Sequence, residues 1–135
     1  MQKEIVKRSD FKSFFEMKTR WKDLDAMGHV NNATFLTYLE SARIEYVKKW
    51  KFKEPPFIQA STTIDYLSQL SHPATLQIGQ KISRMGRKSF DILTGIFVED
   101  EEQPVAQAVT TLVAFDYASQ KTIPVPEVIR QELEE

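Results

Sequence analysis

From Ser61 to Tyr117 the chain passes through four long segments of strand character in succession, after one unbroken stretch of helical period. No other feature of the sequence narrows the fold as much. The four runs are Ser61–Ser68 (STTIDYLS), Ala74–Met85 (ATLQIGQKISRM), Lys88–Glu99 (KSFDILTGIFVE) and Pro104–Tyr117 (PVAQAVTTLVAFDY), all rich in β-branched and aromatic residues. Their connectors, SHP, GR and EDEEQ, carry turn chemistry and are short, which predicts antiparallel neighbours.

Ahead of these runs, Asn32–Trp50 has a different period. Phe35, Leu39, Ala42, Tyr46 and Trp50 fall on one helical stripe, with Leu36 and Val47 beside it. Thr37, Ser41, Glu45 and Lys48 take much of the other side. Ile44 lies among them, so either that face is partly covered or the helix is less amphipathic than a surface helix, as suits a helix wrapped by a sheet. Asn31 or Asn32 is placed to cap it, because a short amide side chain satisfies a first-turn N–H. The prolines of KFKEPPF stop it. FFEMKTRW (Phe14–Trp21) reads as a first strand, and TIPVPEVIRQELEE ends in a short charged helix from Pro126 or Glu127.

The expected fold is therefore α+β: one antiparallel sheet of about five strands wrapped around one long central helix, which is the layout of a hotdog fold. The 135 residues suit a single domain over 1–135, with a short polar leader. Eighteen Lys and Arg against nineteen Asp and Glu leave a formal charge of −1, so no global positive field draws nucleic acid or anionic membrane. The absence of cysteine excludes disulfides, thiol nucleophiles and thiolate metal sites. MQKEIVKRSDF has no apolar run and no later stretch approaches membrane-spanning length, so a cytoplasmic protein is expected.

The chemistry concentrates in DLDAMGHVNN, Asp23–Asn32, directly before the helix. A carboxylate such as Asp25 near a helix N-terminus can meet a carbonyl compound whose developing oxyanion is held by backbone N–H groups. Asp23 and Asp25 also fit ordinary turn and capping roles. Gly28 permits a positive φ and close approach of a ligand, and it also suits any turn. His29 can bond a substrate, Asp25 or the local backbone. The other histidine, His72, precedes a proline and reads as a turn residue, so no histidine pair has metal-ligand spacing. No glycine-flanked serine elbow is present.

RWKDLDAMGHVNNATFLTYLESARIEY (Arg20–Tyr46) resembles the signature of the hotdog acyl-CoA thioesterases of the 4-hydroxybenzoyl-CoA thioesterase family, and GRKSF and AVTTLVAFDYASQKTIPVPE resemble its later strands. The resemblance implies hydrolysis of an acyl-CoA thioester to a carboxylic acid and free coenzyme A. It makes Asp25 the nucleophile or general base, gives the Asn32 backbone N–H the thioester carbonyl, and aligns Gly28 with the motif glycine. HVNN is also similar to acyl-carrier-protein thioesterases, in which a histidine at the position of His29 and an asparagine at that of Met27 join the aspartate. Met27 departs from that pattern, which leaves His29 as a supporting residue. The family further implies a homodimer or homotetramer with sites at the shared interface. No metal and no cofactor are implied beyond the coenzyme A of the substrate.

Outside the motif, Arg84, Arg87 and Lys88 cluster at a strand connection and suit either the phosphates of coenzyme A or a solvated turn. The resemblance implies a place near the nucleotide, often on the neighbouring subunit. Ser89 bonds pantetheine or the strand ladder, and Tyr66 and Phe90 line either the core or the acyl pocket. Glu40 and Arg43, three apart on the helix, are placed to pair. The rival readings are an acyl-carrier-protein thioesterase, an enoyl-CoA hydratase or dehydratase of the same fold, and a non-catalytic acyl-CoA binding module.

Overall fold

The computed structural model describes residues 4–134. In chain order it contains β1 (Phe14–Lys18), α1 (Thr34–Val47), β2 (Phe57–Tyr66), β3 (Thr75–Met85), β4 (Ser89–Val98), β5 (Pro104–Asp116), β6 (Lys121–Thr122) and α2 (Glu127–Glu134). The five long strands form one antiparallel sheet in the order β1-β3-β4-β5-β2, and the short β6 pairs with β5. The sheet curls around α1, as expected of a hotdog fold.

Two connectors behave as their turn chemistry predicts: β3–β4 and β4–β5 are adjacent antiparallel pairs. The third does not. SHP was expected to join neighbours, but β2 lies on the far edge against β5 while β3 lies between β1 and β4. Three interstrand steps are about 14–15 Å, well within the reach of the eight residues 67–74. A short connector limits reach without fixing a neighbour. This crossing segment is held on one side by Val105, whose carbonyl accepts the N–H groups of Leu67 (2.9 Å) and Ser68 (3.2 Å). On the other side the Val30 N–H donates to the Leu70 carbonyl at 2.8 Å.

Several boundaries move for local reasons. The first strand stops at Lys18 and not at Trp21, because Asp23 Oδ2 recaptures the Arg20 N–H at 2.8 Å and turns Trp21–Asp23 into a 3-10 helix. β2 begins at Phe57, ahead of the expected Ser61, because Pro56 still accepts the Phe115 N–H at 2.8 Å although it has none to donate. The helix, expected over Asn32–Trp50, is α-helical only over Thr34–Val47 and continues as a 3-10 turn, Lys48–Trp50. Neither asparagine caps the regular helix: the N-cap is Ala33, with no side-chain cap bond, and Asn31 Oδ1 accepts the Ala33 N–H at 2.8 Å just ahead of the first helical turn.

Inward-facing residues of β3, β4 and β5 form two separate apolar clusters. The near cluster gathers Phe35, Tyr38, Leu39 and Ala42 of α1 on Leu76, Ile78, Ile96, Ala106 and Ala108, under Val30 and Leu70. The far cluster gathers Trp50, Ile82, Phe90, Ile92, Leu112 and Ala114 beneath Val125 and Ile129. Between them, on the same face, lie the buried polar residues Gln80, Thr94 and Thr110. Gln80 Nε2 donates to Thr94 Oγ1 at 3.2 Å, so the amide does not go unpaired in the interior.

The outer face is closed by the segment before β1. Gly79 and Gly95 are register partners, and a Cβ at Gly79 would meet Phe11 at 2.5 Å while one at Gly95 would meet Phe97 at 2.8 Å and Val6 at 2.9 Å. Bare backbone on both strands lets Val6 and Phe11 sit down on the sheet. Arg8 fastens the strap with bonds to the Val98 carbonyl (2.9 Å) and the Glu101 carbonyl (2.7 Å).

Candidate active site

Asp23–Asn32 folds as a tight loop closed on itself. Leu24 and Val30 form an antiparallel bridge, the Asp25 N–H donates to the His29 carbonyl at 2.8 Å, and the Gly28 N–H donates to the Asp25 carbonyl at 3.2 Å. Gly28 has φ 82°, where a Cβ is disfavoured, so glycine is what this turn requires. The exposed Asp25 carboxylate supports the same loop, for Oδ1 accepts the N–H groups of Met27 (2.8 Å) and His29 (3.1 Å). Oδ2 has no hydrogen-bond partner among the described residues. One oxygen performs the turn role and the other is open for chemistry.

The leading turn of α1 completes the arrangement. The Thr34 N–H donates to the Asn31 carbonyl at 2.9 Å and the Phe35 N–H to the Asn32 carbonyl at 3.2 Å. With the Ala33 N–H on Asn31 Oδ1, the N–H of Asn32 is left without an acceptor among the described residues. A free donor at the positive end of a helix is what a developing oxyanion needs.

Asp25, His29, Asn32, Phe35 and Tyr66 line one cleft of about 660 Å³, walled on the far side by residues 67–70 of the crossing segment. The structure thus brings together all four candidate residues of the loop that were singled out for catalysis, Gly28 as the turn that shapes it, with Tyr66 alongside. His29 is half-buried and adds its backbone N–H to Asp25, while its ring makes no hydrogen bond among the described residues. Among those residues, no three of His, Cys, Asp and Glu gather as a metal site.

Asp23 has a different role, as buried support. Its side chain is 1% exposed and accepts Tyr38 Oη at 2.7 Å, Arg20 N–H at 2.8 Å and Arg20 Nε at 3.0 Å. Burial pushes its pKa up, but the bonds from Arg20 and Tyr38 and the guanidinium charge outweigh that and hold it below the usual carboxylate range. The Tyr38 hydroxyl is raised, first by burial and then by its bond to Asp23. Sequence reading passed over Tyr38, although its place one turn after Phe35 put a phenol on the buried stripe. The expected Glu40–Arg43 contact is not made as an ion pair; burial lowers the half-buried Arg43 and the charge of Glu40 partly opposes this.

The basic cluster and its neighbours lie elsewhere. Arg84 Nε and Nη2 bond Asp91 at 2.9 and 3.1 Å, and Nη2 also reaches Ser89 Oγ at 2.9 Å. Lys88 Nζ donates to Thr122 Oγ1 at 3.3 Å, and Arg87 is exposed. Phe90 is fully buried against Trp50 and Phe57 in the far cluster, the core alternative of its two readings. Tyr66 pairs with Ala106 and Ser89 with Val113 on the shared strand β5, a separation of about 23 Å along it. Within one chain the loop and the basic cluster stand at opposite ends of the sheet.

Residues 19–133 match the family described as the thioesterase-like superfamily. The long-chain acyl-CoA thioesterase FadM of Escherichia coli is 29% identical over 126 residues, covering 89% of this chain and 96% of that one. A thioesterase of Thermus thermophilus solved with coenzyme A and zinc superposes with a TM-score of 0.80 at 29% identity, over 93% of this chain and 99% of the other. The fold is shared as well with the PA5185 protein of Pseudomonas aeruginosa, at a TM-score of 0.85 and 24% identity, over 97% and 95% of the two chains.

Proposed function

The chain belongs to the thioesterase-like superfamily, and on that premise we propose that it hydrolyses acyl-CoA thioesters with Asp25 as the reacting carboxylate and the Asn32 N–H as oxyanion donor. The observation that carries this reading is the pairing, in one cleft, of a carboxylate oxygen without a partner and a helix N-terminal N–H without an acceptor. Asp25 Oδ2 either attacks the thioester carbon, giving a mixed anhydride that water then cleaves to release the acid and restore the carboxylate, or takes a proton from the water that attacks that carbon. In both routes negative charge develops on the carbonyl oxygen, where the Asn32 N–H and the helix dipole stabilise it, and coenzyme A leaves as a thiolate. A thiolate is a good leaving group, so one carboxylate and one oxyanion site suffice without a serine triad. Gly28 shapes the loop and His29 helps to fix Asp25 through its backbone.

In this reading the substrate's nucleotide is held by a second copy. Arg87 and Lys88, with Arg84 and Ser89 beside them, lie at the other end of the sheet from the Asp25 loop in the same chain, so they are assigned to the phosphates of a substrate held in a neighbouring subunit's cleft. The edge strand β2 leaves one side unpaired, and Ile58 on it and Leu36 and Ile44 on α1 are exposed. These features support a homodimer or homotetramer.

The test is Asp25→Asn. The amide keeps an oxygen for the Met27 and His29 N–H groups but cannot act as nucleophile or base. Free thiol release from a panel of acyl-CoA substrates is expected to fall by on the order of a hundredfold or more. Undiminished turnover removes Asp25 from the chemistry.

A further inference from the structure

We propose that Tyr66 is a positioning residue for the reaction: its hydroxyl anchors the peptide that follows Asn32 and so limits how far the adjoining peptide, which carries the Asn32 N–H, can turn. This rests on the reading of Asn32 as oxyanion donor. Tyr66 Oη donates to the Asn32 carbonyl at 3.0 Å, and its ring meets Phe35 edge-on at 5.4 Å between centroids. It is the last residue of β2, paired with Ala106. The phenol is therefore held by the sheet, while the Asn31–Asn32 turn it touches is exposed and is otherwise held by its own short bonds and by the Asn31 N–H on the Asp23 carbonyl at 2.9 Å.

The bonds around Asn32 divide the work. The peptide after Asn32 is held at both ends, its carbonyl by Tyr66 Oη and the Phe35 N–H and its N–H by Asn31 Oδ1. The peptide before Asn32 is held only at its carbonyl, by the Thr34 N–H. The N–H of Asn32 lies in that preceding plane, next to the peptide anchored at both ends, and stays uncommitted. An oxyanion donor works by being aimed before charge appears, since reorienting it during the reaction would cost part of its benefit. The phenol at 3.0 Å and the Phe35 N–H at 3.2 Å share the hold on the carbonyl, and of the two only the phenol ties it to the sheet.

Tyr66→Phe tests this because it removes the hydroxyl and keeps the ring on Phe35 and in the cleft. We expect kcat for an acyl-CoA to fall about three- to tenfold, the range of one neutral hydrogen bond, with KM within about twofold and an unchanged circular-dichroism spectrum. An acyl-contact role would instead raise KM, and a KM rise at constant kcat overturns the proposal, as does unchanged kcat. Amide exchange by NMR gives a readout independent of turnover. The Ala33 N–H, on the anchored peptide, is expected to exchange several-fold faster in the variant, and unchanged exchange overturns the proposal even if no acyl-CoA is cleaved. Failure of the functional reading shows separately, as full activity in Asp25→Asn.

Discussion

Tyr38 donates its phenolic hydrogen to Asp23 Oδ2 at 2.7 Å, joining α1 to the turn that precedes the Asp25 loop. Asp23 in turn accepts the Asn31 N–H on its backbone carbonyl at 2.9 Å. One buried residue therefore fastens both ends of the loop that carries Asp25, with its carboxylate on Arg20 and Tyr38 and its backbone carbonyl on Asn31.

Asp23→Ala leaves the Tyr38 hydroxyl buried with no acceptor and frees the Arg20 N–H, so we expect a loss of about 2–4 kcal/mol in urea unfolding. Tyr38→Phe should cost less, about 1 kcal/mol, because Asp23 keeps its bonds to Arg20. Equal costs would mean that the buried hydroxyl finds another partner.

The pH dependence follows from the same group. The folded-state pKa of Asp23 lies below that of the unfolded chain, so its contribution is fully present above the ordinary carboxylate range and is lost as pH falls through the folded value. Asp23→Asn should flatten that part of the stability curve on the acid side. Parallel acid limbs for the two proteins would assign the acid sensitivity elsewhere.

At Asp25 the two standard replacements should separate. Asp25→Asn keeps an acceptor for Met27 and His29 and should unfold within about 0.5 kcal/mol of wild type, while Asp25→Ala loses both bonds and should cost about 1 kcal/mol. Both should lose turnover. A stable, ordered Asp25→Ala loop would show that the carboxylate does not hold the turn.

At the basic end, charge reversal of Arg87 and Lys88 should raise KM for acyl-CoA and leave it unchanged for the matching acyl-pantetheine, which lacks the nucleotide. Arg84→Ala also frees Asp91, so its effects should include stability. Equal KM changes for both substrates would rule out phosphate contact.

Gly79→Ala places a methyl 2.5 Å from the Phe11 ring. Phe11 must shift, at an expected cost of about 1–3 kcal/mol in unfolding, and turnover per folded molecule should be unchanged because the strap lies on the face away from the cleft. A fall in kcat would link the two faces.

The architecture was legible in the sequence wherever local period decides it. The stripe Phe35–Leu39–Ala42 gave the helix its buried face, and β-branched runs gave β3, β4 and β5 to within a residue at each end, while β2 lacked its first four residues. Partner choice was not local: nothing in SHP indicates that residues 67–74 cross two strands, β5 and β4, and help wall a cleft. At the site, Asp25, Gly28 and Asn32 stood out because turn chemistry and helix entry share one short segment. Tyr66 gained its meaning only through a contact 34 residues away in sequence. Arg84, Arg87 and Lys88 were read as one group, but Arg84 is drawn off by Asp91 across the hairpin, a pairing set by register. The helix was not amphipathic in the usual way because Tyr38 is buried with its polar tip satisfied, while Leu36 and Ile44 are exposed on a lone chain.

The row of Gln80, Thr94 and Thr110 across the interior has a consequence for how such a chain can diversify. Each apolar compartment is closed without the other, so a substitution at Phe35 or Val30 does not have to be matched by one at Trp50 or Phe90. The far compartment can keep the domain folded while the near one drifts through new shapes. On the proposed function, acyl preference then becomes a property that variation can change one residue at a time.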